Sequence, residues 1–428
     1  MKPSVKPPPK PKPLTSRTAL LLLLVCGALL LALGFWQLMA GPVQAAETTA
    51  ATDPDHEILV MLRMPPEHFS PDTSYGGAYG GGDARGARRR FAQQRAQANG
   101  LDLVGDWPMP LLGLDCYIMR VPDGTTPQDA AAALSQDPGI AWAQPLNTYR
   151  AQGAAPVVAA TAASGADPLY RVQPDAREWR LDALHRLATG RHVRIAIIDS
   201  AIERRHPDLL GQVVLSQNFV SGVPPAAELH GTGVAGIIAA VPGNGQGIVG
   251  VAPGARLLAL RACWQKDAGL TLCDSLSLAK ALYFAVDNRA DVINMSLSGP
   301  SDPLLGALID LAQARGITVV GAVDPTLPEG GFPASHPGVV AVVTEGGPPG
   351  NPGNTTYAAP GNDIPTTQPG GRWYFVSGSS FAAAHVSGLF ALMRETSGKP
   401  QRASALATLV GSDTIDPATT LAHLQAHP

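Results

Sequence analysis

Three side chains in this sequence are of the types that acyl transfer to a nucleophile requires: Ser380, His230 and Asp199. A serine hydroxyl is a weak nucleophile, so it needs a neighbouring base to take its proton. An imidazole can be that base, and a carboxylate can hold the imidazole in the productive orientation. This chemistry requires the fold to bring together three segments that are far apart in the sequence.

Ser380 stands where a helix is predicted to begin. Aromatic and β-branched residues precede it at 373–376, the turn contains Gly378, and helix-forming and small residues follow at 389–393. This order predicts a strand, a tight turn and a buried helix. The first N–H groups of a helix are unpaired and the helix dipole is positive there, so the position favours an oxyanion.

Asp199 and His230 occupy comparable positions. Asp199 follows the apolar run 193–198, which predicts a buried strand ending at the carboxylate. Val234 and Ile237 repeat at helical spacing after His230, so the histidine heads a predicted helix. Each residue alone is more often structural, as a cap or turn residue. The three types together in one domain predict acyl-transfer chemistry.

The elements that position these residues alternate between strand and helix. This pattern predicts an α/β domain with a parallel sheet covered by helices on both faces. Sites in such sheets gather at the carboxyl ends of the strands. The predicted strands are 194–198, 256–260, 291–295 and 317–320, and the predicted helices are 231–240, 277–288 and 303–314.

The three motifs, in this order, resemble those of the subtilases, the subtilisin-like serine peptidases. They are Asp199 followed by serine, His-Gly-Thr-Gly-Val-Ala-Gly from His230, and Gly-x-Ser-x-Ala-x-x-His-Val-x-Gly from Gly378. The resemblance covers about residues 176–400 and implies a three-layer subtilisin-like α/β domain. It implies that Ser380 is the nucleophile of an endopeptidase, His230 its general base and acid, and Asp199 the residue that orients the imidazole.

The resemblance also implies a substrate-binding strand and a loop near the primary specificity pocket. The strand would pair with an extended polypeptide substrate by β-augmentation, and the alternative is an ordinary end of a core strand. The loop is Phe-Pro-Ala-Ser at 332–335. The substrate-binding residues are Ser296, Leu297, Ser298 and Gly299.

The sequence departs from the family pattern at four positions. Three changes are mild: Ala201 replaces a glycine, Ser379 a threonine and Ala384 a proline. The fourth concerns the oxyanion site, where an asparagine donor is expected and an ungapped reading gives Pro325, which has no donor. A shift of one residue would place Asp324 there as the oxyanion donor, and a carboxyl can donate only while it is protonated.

A smaller unit precedes the predicted peptidase domain, which spans 176–428. Residues 47–150 show the β-α-β-β-α-β order of a small ferredoxin-like α+β fold, with a last strand predicted over 140–149. The resemblance implies that this unit is an inhibitory, chaperone-like propeptide and a partner of the peptidase. Residues 151–175 are predicted to be a linker, and cleavage within or near 145–176 would mature the zymogen.

Residues 1–46 predict export. A basic, proline-rich segment precedes an uncharged apolar run from 18 to about 39, and small residues follow at 43–45. A cleaved signal peptide and an uncleaved N-terminal membrane anchor are both consistent with this pattern. In either case the positive charge lies before the apolar run, so the remainder is expected in the periplasm, outside the cell, or tethered to the membrane.

The charge and the cysteine content of the sequence bear on its expected partners, disulfides and cofactors. The net charge is −3 with 15% charged residues, which gives no reason to expect nucleic-acid binding. Cys263 and Cys273 flank a polar loop, and we expect a disulfide between them in an oxidising compartment. The chemistry requires no cofactor. Many subtilases bind calcium, and the sequence leaves that binding open, since no dense acidic loop indicates a site.

Two classes of function remain open from the sequence. The first is a secreted or membrane-tethered serine endopeptidase made as a zymogen. The second is a pseudoenzyme that keeps the subtilase fold and binds extended peptides, because the oxyanion site reads Pro325. Covalent labelling of Ser380 by a fluorophosphonate would distinguish the two classes.

Overall fold

The structure is a computed structural model that describes residues 52–64, 80–153, 158–159, 167–266, 269–347 and 355–426. These residues belong to one compact unit, Thr49–Pro428. The segment 1–46, interpreted above as a signal peptide or anchor, lies outside the described residues. Among the residues that are described, no helix combines the length and the apolar character needed to cross a bilayer.

The N-terminal part forms a four-stranded antiparallel sheet with strand order β2-β3-β1-β4 and two helices. This arrangement confirms the ferredoxin-like element order. Its elements are β1 (Glu57–Arg63), α1 (Gly80–Ala98), β2 (Asp102–Met109), β3 (Leu114–Arg120), α2 (Pro127–Leu134) and β4 (Trp142–Pro145).

Helix α1 begins inside a glycine-rich segment, where the local sequence favours a loop. Glycine inside a helix costs about 1 kcal/mol relative to alanine. Arg85 and Arg89 both bind the Asp106 carboxylate of β2, which ties these first turns to the sheet. Tertiary ion pairs thus favour helix where the local sequence favours a loop.

The remaining elements build the larger part of the fold, in which a seven-stranded sheet is parallel throughout and has the order β16-β15-β14-β12-β7-β9-β8. The predicted parallel α/β architecture is confirmed. The elements are β5 (Thr148–Ala151), β6 (Val158–Ala159), α3 (Pro174–Glu178), α4 (Leu181–Leu187), β7 (Arg194–Asp199), β8 (Val213–Asn218), α5 (Leu229–Ala239), β9 (Arg256–Arg261), β10 (Cys263–Gln265), β11 (Thr271–Asp274), α6 (Ser275–Asp287), β12 (Val292–Met295), β13 (Leu297–Ser298), α7 (Pro303–Ala314), β14 (Thr318–Ala322), β15 (Val340–Thr344), β16 (Thr356–Ala359), β17 (Ile364–Gln368), β18 (Arg372–Val376), α8 (Ser379–Ser397) and α9 (Pro417–Ala426).

The layers follow from the alternation of side chains along the strands. In β7, Ile195 and Ile197 face the layer that contains α5 and α8, whereas Ala196 and Ile198 face α6 and α7. In β1, Leu59 packs into the cluster with α6 and α7, so the four-stranded sheet lies on the outer side of these two helices. The opposite face of β1 is covered by α1 and α2.

The strand predicted over 140–149 is wrong as a single element. The structure ends β4 at Pro145 and starts β5 at Thr148, and β5 joins a different sheet of order β10-β11-β5-β13. Between them, the Ser275 N–H at the start of α6 donates to the Asn147 carbonyl oxygen, and the Asn147 N–H donates to the Ser275 hydroxyl, each over 3.0 Å. Alternation of apolar residues predicts extended chain, but it does not say which sheet the chain joins.

Candidate active site

Asp199 and His230 meet at the carboxyl end of the parallel sheet. Asp199 ends β7, and His230 is the second residue of α5. The His230 Nδ1 atom lies 2.9 Å from both carboxylate oxygens of Asp199. The Ser200 N–H also donates to Asp199 Oδ1 over 2.6 Å. A buried carboxylate requires such partners, and here they hold the imidazole by its Nδ1 side.

Gly231 permits the close approach of α5 to the end of β7. A Cβ atom on Gly231 would lie 2.3 Å from the carbonyl oxygen of Ser200, so no larger residue fits without movement of the backbone. The Gly231 N–H donates to the Ser200 hydroxyl over 3.0 Å. The glycine after the histidine therefore positions the helix against the strand that carries Asp199.

Ser380 is the second residue of α8 and is fully buried. Its backbone N–H donates to the carbonyl oxygen of Gln152 over 2.9 Å. Its hydroxyl accepts the Gln152 N–H over 2.9 Å and donates to the carbonyl oxygen of Ser296 over 2.8 Å. The unpaired N–H at the start of the helix is thus used by a carbonyl from a distant part of the same chain.

The imidazole of His230 lies close to Gly153 and to the start of α8. A Cβ atom on Gly153 would lie 3.6 Å from His230 Cδ2 and 2.8 Å from the ring of Phe381, which follows Ser380. Among the described residues, His230 Nε2 has no hydrogen-bond partner. The structure therefore brings Asp199, His230 and Ser380 to one cleft, with the Ser380 hydroxyl turned towards Ser296 and not towards His230.

Residues 148–152 lie in this cleft as an extended strand. β5 is inserted between β11 and β13 and pairs antiparallel with both, with Arg150 opposite Leu272 on one side and Ser298 on the other. This is the geometry of β-augmentation, in which an extended peptide adds a strand to an edge. The predicted substrate-binding residues Ser296, Leu297, Ser298 and Gly299 border this strand.

Gly378 gives the chain room to pass Ser380. Its φ of 148° lies in a region that favours glycine, and a Cβ atom there would lie 2.5 Å from the carbonyl oxygen of Gln152 and 2.6 Å from the Cα of Gly153. On the far side of this point, the short strand β6 pairs antiparallel with β18. The chain is thus held by strand pairing on both sides of Gln152 and Gly153.

Residues 190–419 match the sequence model of the Subtilase family. The chain belongs to the subtilase family. The prediction that it is a subtilisin-like serine peptidase is confirmed by this match and by its relatives. It is 33% identical over 227 residues to an intracellular serine protease of Paenibacillus polymyxa, covering 48% of this chain and 68% of that protein.

Two further comparisons agree with this membership. The subtilase is 34% identical over 219 residues to thermitase of Thermoactinomyces vulgaris, covering 48% of this chain and 76% of thermitase. The crystal structure of fervidolysin from Fervidobacterium pennivorans, a keratinolytic enzyme related to subtilisin, matches with a TM-score of 0.63. That match covers 89% of this chain and 62% of fervidolysin, and at 21% identity it shows the fold alone.

Asp324 and Pro325, the two residues considered for the oxyanion site of the subtilase, both lie in the loop that follows β14. Asp324 Oδ1 accepts hydrogen bonds from the backbone N–H and the hydroxyl of Thr326, over 2.9 and 2.6 Å. Pro325 is exposed at the rim of a cavity of about 550 Å³ that Gln152 also lines. In the part of the chain that the structure describes, the donor on the Gln152 carbonyl is the Ser380 N–H.

A buried polar network that the sequence analysis missed holds the start of α8. Asn294 donates to the Ser296 hydroxyl over 2.9 Å, and that hydroxyl donates to the Ser380 carbonyl over 2.9 Å. Ser387, two turns into α8, donates to Asn294 Oδ1 over 2.9 Å. The only signal in the sequence is an asparagine inside an otherwise apolar run, which does not identify its partners.

Other predicted residues lie around the cleft. Cys263 and Cys273 form a disulfide across the paired strands β10 and β11, so the hairpin that borders β5 is cross-linked. Phe332, in the loop predicted to lie near the specificity pocket, exchanges backbone hydrogen bonds of 2.9 Å with Gly299. His385 is buried with its Nδ1 2.8 Å from the Phe381 carbonyl, in keeping with a packing role.

Proposed function

We propose that this subtilase is the zymogen of a serine endopeptidase, with Ser380 as nucleophile, His230 as general base and acid, and Asp199 as the residue that orients the imidazole. The N-terminal domain, with residues up to Gln152, is its propeptide. The observation that supports this most directly is the hydrogen bond from the Ser380 N–H to the Gln152 carbonyl, within a strand bound as a substrate would be.

The first reaction is cleavage of the bond between Gln152 and Gly153. The Ser380 hydroxyl turns from Ser296 towards His230, which takes its proton as Oγ attacks the Gln152 carbonyl carbon. The negative charge that develops on the carbonyl oxygen faces the Ser380 N–H. Collapse breaks the C–N bond, and His230 protonates the departing Gly153 amine. Water then hydrolyses the acyl-enzyme by the same steps, and no cofactor takes part.

The altered oxyanion site makes this a slow enzyme under the proposal. Pro325 offers no donor, and removal of one oxyanion donor costs about 10²–10³ in kcat, a value known from subtilisin itself. The Ser380 N–H remains, as do the proximity and orientation that the paired strand provides. These terms are enough for a zymogen to cut itself, because the scissile bond is already in the cleft.

After cleavage the propeptide stays bound as an inhibitor until it is released or degraded. Leu59 and Met61 pack with α6 and α7, and β5 remains paired in the substrate cleft. Polypeptides that can adopt an extended strand are the proposed substrates of the released enzyme. Export, with or without an N-terminal anchor, accords with the Cys263–Cys273 disulfide, since such bonds persist in oxidising compartments.

A peptide-binding pseudoenzyme is the second candidate, and one observation favours it. The Ser380 hydroxyl is engaged by Ser296 and Gln152, and the Nε2 of His230 has no hydrogen-bond partner among the described residues. In that case residues 148–152 would stay in the cleft uncut.

A fluorophosphonate probe distinguishes the two. The full chain is incubated until processing stops, treated with trypsin to remove bound propeptide, and then labelled. Under the proposal, the wild type is labelled on Ser380 and a Ser380→Ala variant is not. Absence of label from the wild type after propeptide removal would favour the binding protein.

A further inference from the structure

Tyr149 is the most enclosed residue of the strand in the cleft. It lies three positions before Gln152, and its side chain is fully buried. A Cβ atom on Gly299 would lie 2.3 Å from Tyr149 Cδ1, so the ring rests directly on this backbone. The ring of Phe332, whose backbone is hydrogen-bonded to Gly299, lies 6.4 Å away between centroids and is tilted by 58°. Gly299 and Phe332 thus border the slot that encloses the ring of Tyr149.

A buried carboxylate lies at the bottom of this slot. The phenol oxygen of Tyr149 is 3.2 Å from Asp302 Oδ2 and 3.2 Å from the carbonyl oxygen of Pro300. Burial, with the negative charge of Asp302 close by, raises the pKa of Tyr149 well above its usual value of 10. The phenol therefore keeps its proton and donates it to these acceptors.

The peptidase domain itself holds Asp302 in place. The carboxylate caps α7 by accepting the N–H groups of Leu304 and Leu305, each over 3.0 Å. It also accepts the Ser275 hydroxyl over 2.6 Å. These partners stay when the propeptide leaves, so the orientation of the carboxylate does not depend on the propeptide.

Two other donors to Asp302 leave with the propeptide. Gln144 and Asn147 donate side-chain N–H groups to this carboxylate over 2.7 and 3.3 Å. Their departure, together with that of Tyr149, leaves this carboxylate with acceptor capacity facing the slot, and a substrate that fills the slot buries it again. A buried acceptor left without its donor is costly, so the slot favours a substrate that brings a donor of the right length.

We infer that Asp302 makes this peptidase selective for polypeptides with a tyrosine three residues before the residue whose carbonyl is attacked. The inference rests on the proposed endopeptidase function and adds its substrate class. Phenylalanine fills the same slot but offers no donor to the carboxylate. A hydrogen bond to a charged group corresponds to a preference for tyrosine of about 10- to 100-fold in kcat/KM.

The first test compares internally quenched peptides on the processed wild-type enzyme. One carries Thr-Tyr-Arg-Ala-Gln-Gly-Ala-Ala, as in residues 148–155, and two others replace its tyrosine with phenylalanine or lysine. The tyrosine peptide is expected to be cleaved about 10- to 100-fold faster than the phenylalanine peptide at low substrate. Equal rates, or a faster lysine peptide, would overturn the inference while leaving the endopeptidase intact.

Variants locate the selectivity. Asp302→Asn keeps a residue that caps a helix well, but it removes the negative charge, so the tyrosine preference should fall most of the way towards unity. Asp310→Asn, on the exposed side of the same helix, is the matched control and should keep the wild-type preference. A preference unchanged in Asp302→Asn would overturn the assignment to this residue.

A second arm does not depend on turnover. In the uncut Ser380→Ala chain, Tyr149→Phe should lower the urea midpoint of unfolding, and the same change made in an Asp302→Asn background should lower it less. A Tyr149→Phe change that leaves the midpoint unaltered would overturn the contact on which the inference rests. Failure of fluorophosphonate labelling with a normal result in this arm would instead count against the proposed function alone.

Discussion

The backbone N–H of Ser380 donates to the carbonyl oxygen of Gln152 over 2.9 Å, although the two residues are separated by 228 positions in the chain. A helix N-terminus normally leaves such a donor unpaired, and here it meets the carbonyl of a strand that runs through the cleft. The hydroxyl of Ser380 is also engaged by that strand. The chain therefore occupies its own candidate active site, with one peptide bond next to both Ser380 and His230.

Cleavage should require the close approach of residues 152–153 to Gly378. In Gly378→Ala, the added Cβ would lie 2.5 Å from the Gln152 carbonyl oxygen and push it away from the Ser380 N–H. A displacement of about 1 Å in such a site costs about 10² in rate, so self-processing should slow by at least that factor. The rate is read from the loss of intact chain on a gel.

The control for this variant is Gly211→Ala. Gly211 also has a positive φ, of 82°, but nothing lies within 4 Å of its Cβ position. It should lower stability slightly and leave processing near the wild-type rate. Equal processing in Gly378→Ala and the wild type would mean that the Gln152 carbonyl does not need its present position.

The missing oxyanion donor should be restorable. Pro325 lies beside the cavity that Gln152 lines. In Pro325→Asn, a side-chain amide would again be available there, and the rate of processing should rise by about 10- to 100-fold, within the contribution of one such donor. Pro325→Ala is the control for loss of the proline ring and should not show this rise. If both variants behave alike, position 325 does not contribute to oxyanion binding.

Stability should depend on Glu345 between about pH 4.5 and 7. Burial and the neighbouring Glu178 carboxylate raise the pKa of Glu345 from 4.5 to about 7. In that window the folded state binds more protons than the unfolded state, so the contribution to stability is greatest below pH 4.5 and is lost as the pH rises towards 7. Glu345→Gln should flatten this decline in urea titrations at a series of pH values.

The exposed carboxylate Glu329 supplies the comparison for that experiment. Glu329→Gln should retain the wild-type decline in the free energy of unfolding between pH 4.5 and 7. If the free energy of unfolding of Glu345→Gln declines as it does in the wild type, groups other than Glu345 cause the decline.

The Cys263–Cys273 disulfide should stabilise the β10–β11 hairpin, which pairs with β5. A loop closed by residues ten positions apart is expected to contribute about 2–3 kcal/mol through the entropy of the unfolded chain. Replacing both Cys263 and Cys273 by serine should lower the free energy of unfolding by that amount. Reductant should destabilise the wild type similarly and leave the double variant unchanged; equal effects on both would point away from this bond.

Much of the site could be predicted because its residues mark the ends of secondary-structure elements. A run of β-branched residues before Asp199, and helical spacing after His230 and Ser380, place all three residues at one edge of a parallel sheet. The element order of the N-terminal domain could be predicted for the same reason, since each strand and helix has its own local pattern.

The rest depends on contacts between distant segments. The hydrogen bond from Tyr149 to Asp302 joins residues 153 positions apart, and the sequence around either residue does not predict the other as its partner. The predicted strand over 140–149 hides a change of sheet, because alternation persists while the partner strands change from β1 to β11 and β13. Asp302 reads locally as a helix cap, which it is, and its second contact appears only with the fold.

The most direct test of the account is the N-terminal sequence of the processed protein. Purified full-length wild type should cut itself with a first-order rate that does not depend on protein concentration, and the larger product should begin at Gly153. Ser380→Ala should remain intact under the same conditions. A product that begins elsewhere, or the same product from Ser380→Ala, would contradict the claim that Ser380 attacks the Gln152 carbonyl.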